Sequence, residues 1–207
     1  IFAHVFDASQ IGSSLPERGY LIDGRILQVP VNYDPVDRAY SGLWDGTFKD
    51  AFSNKPAWVF YDICVNSRYG LGQLITPALV DKWALYSIGQ YCDELVDDGS
   101  GGLEPRFQCN CVLGSAADAY DVLSQLASVF RGMVYWLGGV MVPVPDSPAD
   151  PMALFSPANV VDGMLTYQGA AIDSRHTAVR VSWLDPALDH DVVKELIEDE
   201  DLIRRFG

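Results

Sequence analysis

TPALVDKWALYSIGQYCDEL (residues 76–95) is the most strongly periodic stretch of the chain, and the fold reading starts from it. Val80, Trp83, Ala84, Ile88, Tyr91, Cys92 and Leu95 recur at helical spacing and form one apolar stripe. Thr76 is an N-cap candidate, and Pro77 sits at the favoured first helical position. Upstream, Pro56 to Asn66 reads as a second helix with Asn54 as a possible cap. Its Trp58, Val59, Phe60, Ile63, Cys64 and Val65 leave little polar face, as expected for a helix buried on most sides. Arg68 to Gly72 ends it with glycines available for positive φ. Downstream, Ser115 with Asp118 three residues on opens a third helix in a capping-box-like pattern. Its stripe is Ala119, Val122, Leu123, Leu126, Val129 and Phe130, closed by Arg131 and Gly132.

Strand-like runs surround these helices. Phe2 to Asp7, Tyr20 to Ile22 and Ile26 to Val31 come first, with Asp23-Gly24 as a tight-turn signal. Residues 32–54 show no sustained period and predict a long ordered loop, tacked onto the body by Tyr33, Tyr40, Trp44 and Phe48. Phe107 to Val112 reads as a strand. Met133 to Leu137 and Val140 to Val144 flank Gly138-Gly139, a hairpin signal. After a proline-rich stretch come Met164 to Tyr167, Ala178 to Trp183 and Val192 to Glu198, with two helical turns over Asp199 to Phe206. The order predicts an α+β fold. It suggests a β-rich module formed by residues 1–54 and 161–207, with an α+β subdomain of residues 55–160 inserted in it.

The 207 residues are 49% hydrophobic and carry a formal net charge of −14, from 14 Lys+Arg against 28 Asp+Glu. That supplies a packed core and argues against phosphate binding, which needs clustered cations. The basic pair Arg204-Arg205 follows five acids within Glu195 to Asp201. No apolar run approaches the roughly 18 residues of a membrane span. Ile1 opens into globular-looking sequence with no basic n-region before it, as in a trimmed chain.

The sequence holds no G-x-S-x-G, Walker A, G-x-G-x-x-G or H-E-x-x-H motif. His4, His176 and His190 are far apart in sequence; a triad could still be assembled in space, but nothing picks one out, and a structural or surface role is the simpler reading of His176. Cys64, Cys92, Cys109 and Cys111 lack zinc-ligand spacing and are expected as buried free thiols, Cys109 and Cys111 on one face of a strand. Asp93, Glu94, Asp97 and Asp98 crowd a helix end, where a calcium ion would relieve repulsion. Their spacing fits no ordered calcium loop, so a solvated acidic turn is favoured. Asn32, Asp34 and Asp37 fit a turn better than a ligand set, and Glu195 to Asp201 a solvated rim. No metal or cofactor is expected. Tyr33, Tyr40, Trp44 and Trp136 could form a sugar-stacking platform, but anchoring of a loop explains them more simply.

Several words in fixed order then carry a resemblance. They are LQVPVNYDP (27–35), YSGLWDGTFK (40–49), NKPAW (54–58), RYGLG (68–72), VDKWALY (80–86), IGQYCD (88–93), GGLEPR (101–106), Arg175-His176, VSWLDP (181–186) and ELIED (195–199). They resemble the lambda-type host-specificity protein J family of siphophage tail tips, over about residues 17–207. The resemblance implies a non-enzymatic virion protein, made in the bacterial cytoplasm, that supports host attachment and DNA delivery. It implies a homotrimeric hub, contacts with other tail-tip or baseplate proteins, and no catalytic residue. Receptor recognition belongs to a distal region of the family's longer chain. Tyr33, Tyr40 and Trp44 are candidates for subunit contacts, weighed evenly against packing within the chain. The acidic charge would suit a conduit wall that repels DNA phosphates. A carbohydrate- or receptor-binding module is the alternative function and would show an exposed aromatic platform. A hydrolase would show a cleft where a histidine meets acids with perturbed pKa values.

Overall fold

Helix α1 (Pro56–Val65) forms because an almost wholly apolar run follows a proline that presets its first turn. Ala57, Trp58, Phe60, Tyr61 and Cys64 are buried, so burial rather than amphipathicity holds it. Removing each large side chain from water contributes ~1.5–3 kcal/mol. Asn54 is not its cap. Lys55 occupies that position without a side-chain capping bond, and Asn54 instead joins Arg38 to Gln108. The glycines after α1 also act differently from expectation, since neither Gly70 nor Gly72 has positive φ. A Cβ on Gly70 would lie 2.1 Å from the Ile63 carbonyl oxygen, and one on Gly72 2.2 Å from that of Val65. Their role is close backbone approach.

Helix α2 (Lys82–Asp93) starts later than the periodicity suggests. Thr76 and Pro77 open only a 3-10 turn, Pro77–Leu79. Val80 then turns extended and bridges to Met141, while the Asp81 amide donates to the Met141 carbonyl at 2.9 Å. Asp81 is the cap, its carboxylate accepting from the amides of Trp83 and Ala84. Leu85, Ile88, Gly89 and Cys92 form the buried face, and Leu95 falls beyond the helix in a strand.

Among the described residues the strands pair only in antiparallel twos. β1 (Ile26–Pro30) pairs with β4 (Phe48–Phe52), Val29 opposite Lys49. β2 (Tyr33–Asp34) pairs with β3 (Ala39–Tyr40). The segment predicted as a loop therefore contains three short strands, and its aromatics do pack on the helices. Asp34 makes the expected turn, accepting from the amides of Val36 and Asp37. β5 (Leu95–Asp97) and β6 (Leu103–Pro105) form a small ribbon. No strand forms at 107–112: the Phe107 amide goes to the Cys92 carbonyl and the Cys109 amide to that of Asn54, single ties rather than a ladder.

Helix α3 (Ala119–Val129) is capped by Asp118, whose carboxylate takes the Tyr120 amide. Ser115 lies outside the described residues. Leu123, Leu126, Ala127 and Phe130 are buried, and α3 packs on α1 and on β7 (Gly132–Leu137). β7 and β8 (Val140–Pro145) make the expected hairpin, with Gly138 and Gly139 at φ 60° and 85°, the type I′ geometry.

A computed structural model of the chain describes residues 24–99, 101–113, 118–169, 171, 176–185, 188 and 190–206. The strands predicted at Phe2 to Asp7 and Tyr20 to Ile22 lie outside these, as does Asp23 of the predicted turn. The chain divides into two units, Ile1–Ala149 and Asp150–Gly207. The second unit holds β9 (Ala178–Asp185) paired with β10 (Asp191–Glu198), then α4 (Glu200–Phe206). Met164 to Tyr167 is not a strand. Helices and small antiparallel sheets together make the fold α+β.

Candidate functional site

The most organised group of polar side chains lies where α1 begins and α2 ends. Lys55 carries the first carbonyl of α1, accepting from the amides of Trp58 and Val59 at 3.1 Å. Its side chain turns inward and is wholly buried, an exceptional place for an ammonium. There it meets the carboxylate of Asp93, the last residue of α2, and donates to the Tyr40 hydroxyl. The ammonium also lies 3.7 Å from the centroid of the Tyr33 ring and 4.4 Å from that of Tyr40, cation–π contacts in a desolvated setting.

Arg38 completes the cluster. It holds a left-handed φ of 53° in the tight turn between β2 and β3. Its Nε donates to Asp93 Oδ1 at 2.9 Å and its Nη1 to Asn54 Oδ1 at 2.9 Å. Two cations thus share one carboxylate, which offsets the unfavourable position of an acid at a helix C-terminus. Gly89 makes room, since a Cβ there would lie 3.0 Å from the Tyr40 hydroxyl and 3.4 Å from Lys55 Cδ. Burial pulls the Lys55 ammonium down to about 8, against the raising pull of Asp93. Burial, then the Asp93 charge, pushes the Tyr33 and Tyr40 hydroxyls far above the usual phenol range.

An aromatic layer continues the cluster outward. Tyr33 and Tyr40 lie 4.8 Å apart, Tyr40 meets Tyr86 edge-on, and Trp44 stacks on Tyr86 at 4.8 Å. Trp44 also contacts Phe48, Trp58 and Trp83. Its indole nitrogen donates to the Thr47 carbonyl, and Lys82 bridges to the Gly46 carbonyl at 2.7 Å. Tyr33 and Trp44 are buried inside their own unit and Tyr40 is half-buried. Trp136, on β7, is exposed. A shallow groove of about 300 Å³ runs along Asn32, Tyr33, Asp37, Tyr40 and Lys49.

This arrangement clamps a chain segment. The Lys55 ammonium is not offered to water, because it is sealed under two tyrosines. In the acidic turn Glu94, Asp97 and Asp98 are exposed, and Asp93 alone turns inward. Asp93 is committed to the cluster, and Glu94 pairs with Arg106 at 2.8 Å. The sequence reading missed Arg38 and Lys55. A lysine immediately before an apolar helix was the available signal, but nothing local pairs it with an acid 38 positions on.

The thiols follow expectation in part. Cys64, Cys92 and Cys109 are buried, whereas Cys111 is exposed. In the second unit, His176 lines an open cleft of about 520 Å³ with Glu198, Asp199, Glu200 and Asp201. Asp199 there caps α4 through the Leu202 amide, and Glu200 and Asp201 pair with Arg204. These acids are exposed, as a solvated rim should be. His190 sits in the β9–β10 turn at φ 65°, and His4 lies outside the described residues. Among the described residues no group of three His, Cys, Asp or Glu could hold a metal ion, and no helix is long and apolar enough to cross a membrane.

A family model described as "Putative phage tail protein" matches residues 118–205. The tip attachment protein J of Escherichia phage SECphi27 is 41% identical over 202 residues, 98% of this chain and 17% of that protein. The tip attachment protein J of Escherichia phage SECphi4 is 38% identical over 201 residues, 97% of this chain and 18% of that protein. The chain spans less than a fifth of the length of these relatives.

Proposed function

We propose that this chain, related over nearly its whole length to a segment of the tip attachment proteins J, builds part of the body of a phage tail tip. The observation that carries the reading is the match over 98% of the chain, which runs through both units rather than through one motif. The polar cluster supports it from the structural side. Lys55, Asp93 and Arg38 are spent on fixing residues 32–54 against two helices, which is what a rigid scaffold needs. We assign the chain no catalysis.

Exposed apolar residues support an assembled role. On the β9–β10 ribbon, cross-strand neighbours share a face, which brings Val179, Val181, Trp183 and Ile197 to one side. All four are at least a third exposed. A two-stranded ribbon is marginal alone in water, so its apolar side is suited to burial in a larger assembly. Met133, Tyr135 and Leu137, alternating along β7, present a second such surface. The assembly we propose is a homotrimer of the whole protein docked to other tail proteins in the virion, supporting host attachment and DNA delivery.

Light scattering on the full-length protein tests the trimer. A solution mass of three chains is expected, and a monomer at high concentration would overturn it. Mass spectrometry of purified particles tests the placement: peptides of this chain should accompany tails and be missing from tailless heads.

A further inference from the structure

Residues 107–113 lie in neither strand nor helix, and the two cysteines there are close neighbours in space. Cys109 and Cys111 hold their sulfurs 3.7 Å apart, in van der Waals contact, against a bonded distance of about 2.05 Å. Cys109 is buried and Cys111 exposed. With no ladder to break on either side, a modest swing of the Cys111 side chain closes the gap. Cys64, by contrast, faces the Met141 thioether at 3.6 Å in the core.

We propose that Cys109 and Cys111 are a thiol–disulfide exchange site, closing reversibly into an intrachain disulfide with small disulfides such as oxidised glutathione as oxidant. The exposed Cys111 reacts first. Its thiolate attacks one sulfur of glutathione disulfide, so a Cys111–glutathione bond forms while the original S–S bond breaks. The departing glutathione thiolate takes up a proton. Cys109 then gives its proton to solvent and attacks the Cys111 sulfur, expelling the second glutathione as a thiolate that is protonated in turn. Two cysteine thiols are oxidised by two electrons in total, and one glutathione disulfide is reduced to two thiols.

Geometry also decides what kind of bond this is. The closed ring spans only three residues, so it removes little chain entropy from the unfolded state and cannot be a strong staple. So short a span also strains the disulfide, and strained or exposed disulfides are the readily reduced ones. Burial pushes the Cys109 thiol up to about 12, so its thiolate is scarce and ring closure quickens as pH rises. The loop is tied to the ionic cluster as well. The Cys109 amide donates to the Asn54 carbonyl at 2.7 Å, Gln108 accepts from the Asn54 amide, and Asn54 holds Arg38. Ring closure therefore acts at the edge of the Lys55–Asp93 clamp.

The test treats the full-length protein with excess oxidised glutathione, alkylates free thiols and digests with trypsin. Cleavage after Arg106 and Arg131 places both cysteines on one peptide, Phe107–Arg131, apart from Cys64 and Cys92. The expected product is that peptide lighter by two hydrogens, restored by reductant, and exceeding the glutathione adduct by about tenfold because the second thiol is already in place. In Cys109→Ser, Cys111 should keep its glutathione. Wild-type protein with the adduct on Cys111 as abundant as in the variant, or with both thiols still free, would overturn the proposal. The wild-type masses alone separate ring, adduct and free thiols should the variant misfold.

Discussion

Asp93→Asn removes the single anion that two cations share, and the structure sets the size of the effect. Lys55 is wholly buried and the Arg38 side chain 19% exposed, so both are left largely desolvated without a counter-charge. Breaking a buried pair in this way costs about 3–5 kcal/mol. Lys55→Met is a different perturbation. It keeps an unbranched side chain of similar length, removes one charge, and leaves the Arg38–Asp93 pair standing at 2.9 Å. The losses are then one of the two cations paired with Asp93 and the contact with the Tyr33 and Tyr40 rings, the latter about 1–2 kcal/mol, offset in part because an ammonium no longer has to be desolvated. The order of the two costs follows from charge: the cluster carries two cations and one anion, so losing the anion is worse than losing a cation. Urea titration followed by tryptophan fluorescence measures both, since Trp44 and Trp58 are buried beside the cluster. With unchanged m, Lys55→Met as destabilising as Asp93→Asn would refute the shared-anion reading.

Other outcomes follow from close packing and from titration. Gly70→Ala should cost more than Gly89→Ala, because its Cβ meets a backbone oxygen at 2.1 Å, whereas that of Gly89 meets side-chain atoms from 3.0 Å outward. About 1–3 kcal/mol is expected at Gly89, reduced by alanine's better helix propensity, and more at Gly70. Thermal or urea unfolding ranks them. Stability should also fall in alkali. Burial pushes the Cys64, Cys92 and Cys109 thiols up to about 12 from an ordinary 9, so the stability they hold is complete below pH 9 and lost between pH 9 and 12. Lys55 works the other way: its folded value of about 8 lies below 10.5, so the cost of burying its charge fades between pH 8 and 10.5. Each proton contributes about 1.4 kcal/mol per pH unit, and three thiols outweigh one lysine above pH 9. A urea midpoint unchanged from pH 9 to 11 would contradict this, and Cys64→Ala with Cys92→Ala should flatten the fall.

Where a single local signal sufficed, the sequence and the structure agree. Gly138-Gly139 marked the β7–β8 hairpin because only residues tolerant of positive φ make that turn. The stripes of α2 and α3 were visible because buried faces impose a period. β4 was not, since in Phe48-Lys-Asp-Ala-Phe52 the side chains never alternate cleanly between buried and exposed. Thr76-Pro77 resembled a helix start as strongly as Asp81 does, and only the pairing of Val80 with Met141, 61 positions away, decides between them. The ionic cluster was hidden for the same reason. Arg38, Lys55 and Asp93 lie in three separate elements, and no short-range pattern announces that a lysine beside a proline will be buried.

Gold labelling locates the chain in the particle. An epitope inserted between Gly138 and Gly139 sits in a turn where a Cβ would meet nothing within 4 Å, so the fold tolerates the insertion. Electron microscopy of labelled phage should show gold at the tail end remote from the head. Gold on the head or along the tail shaft, with the tip bare, would contradict the tail-tip assignment.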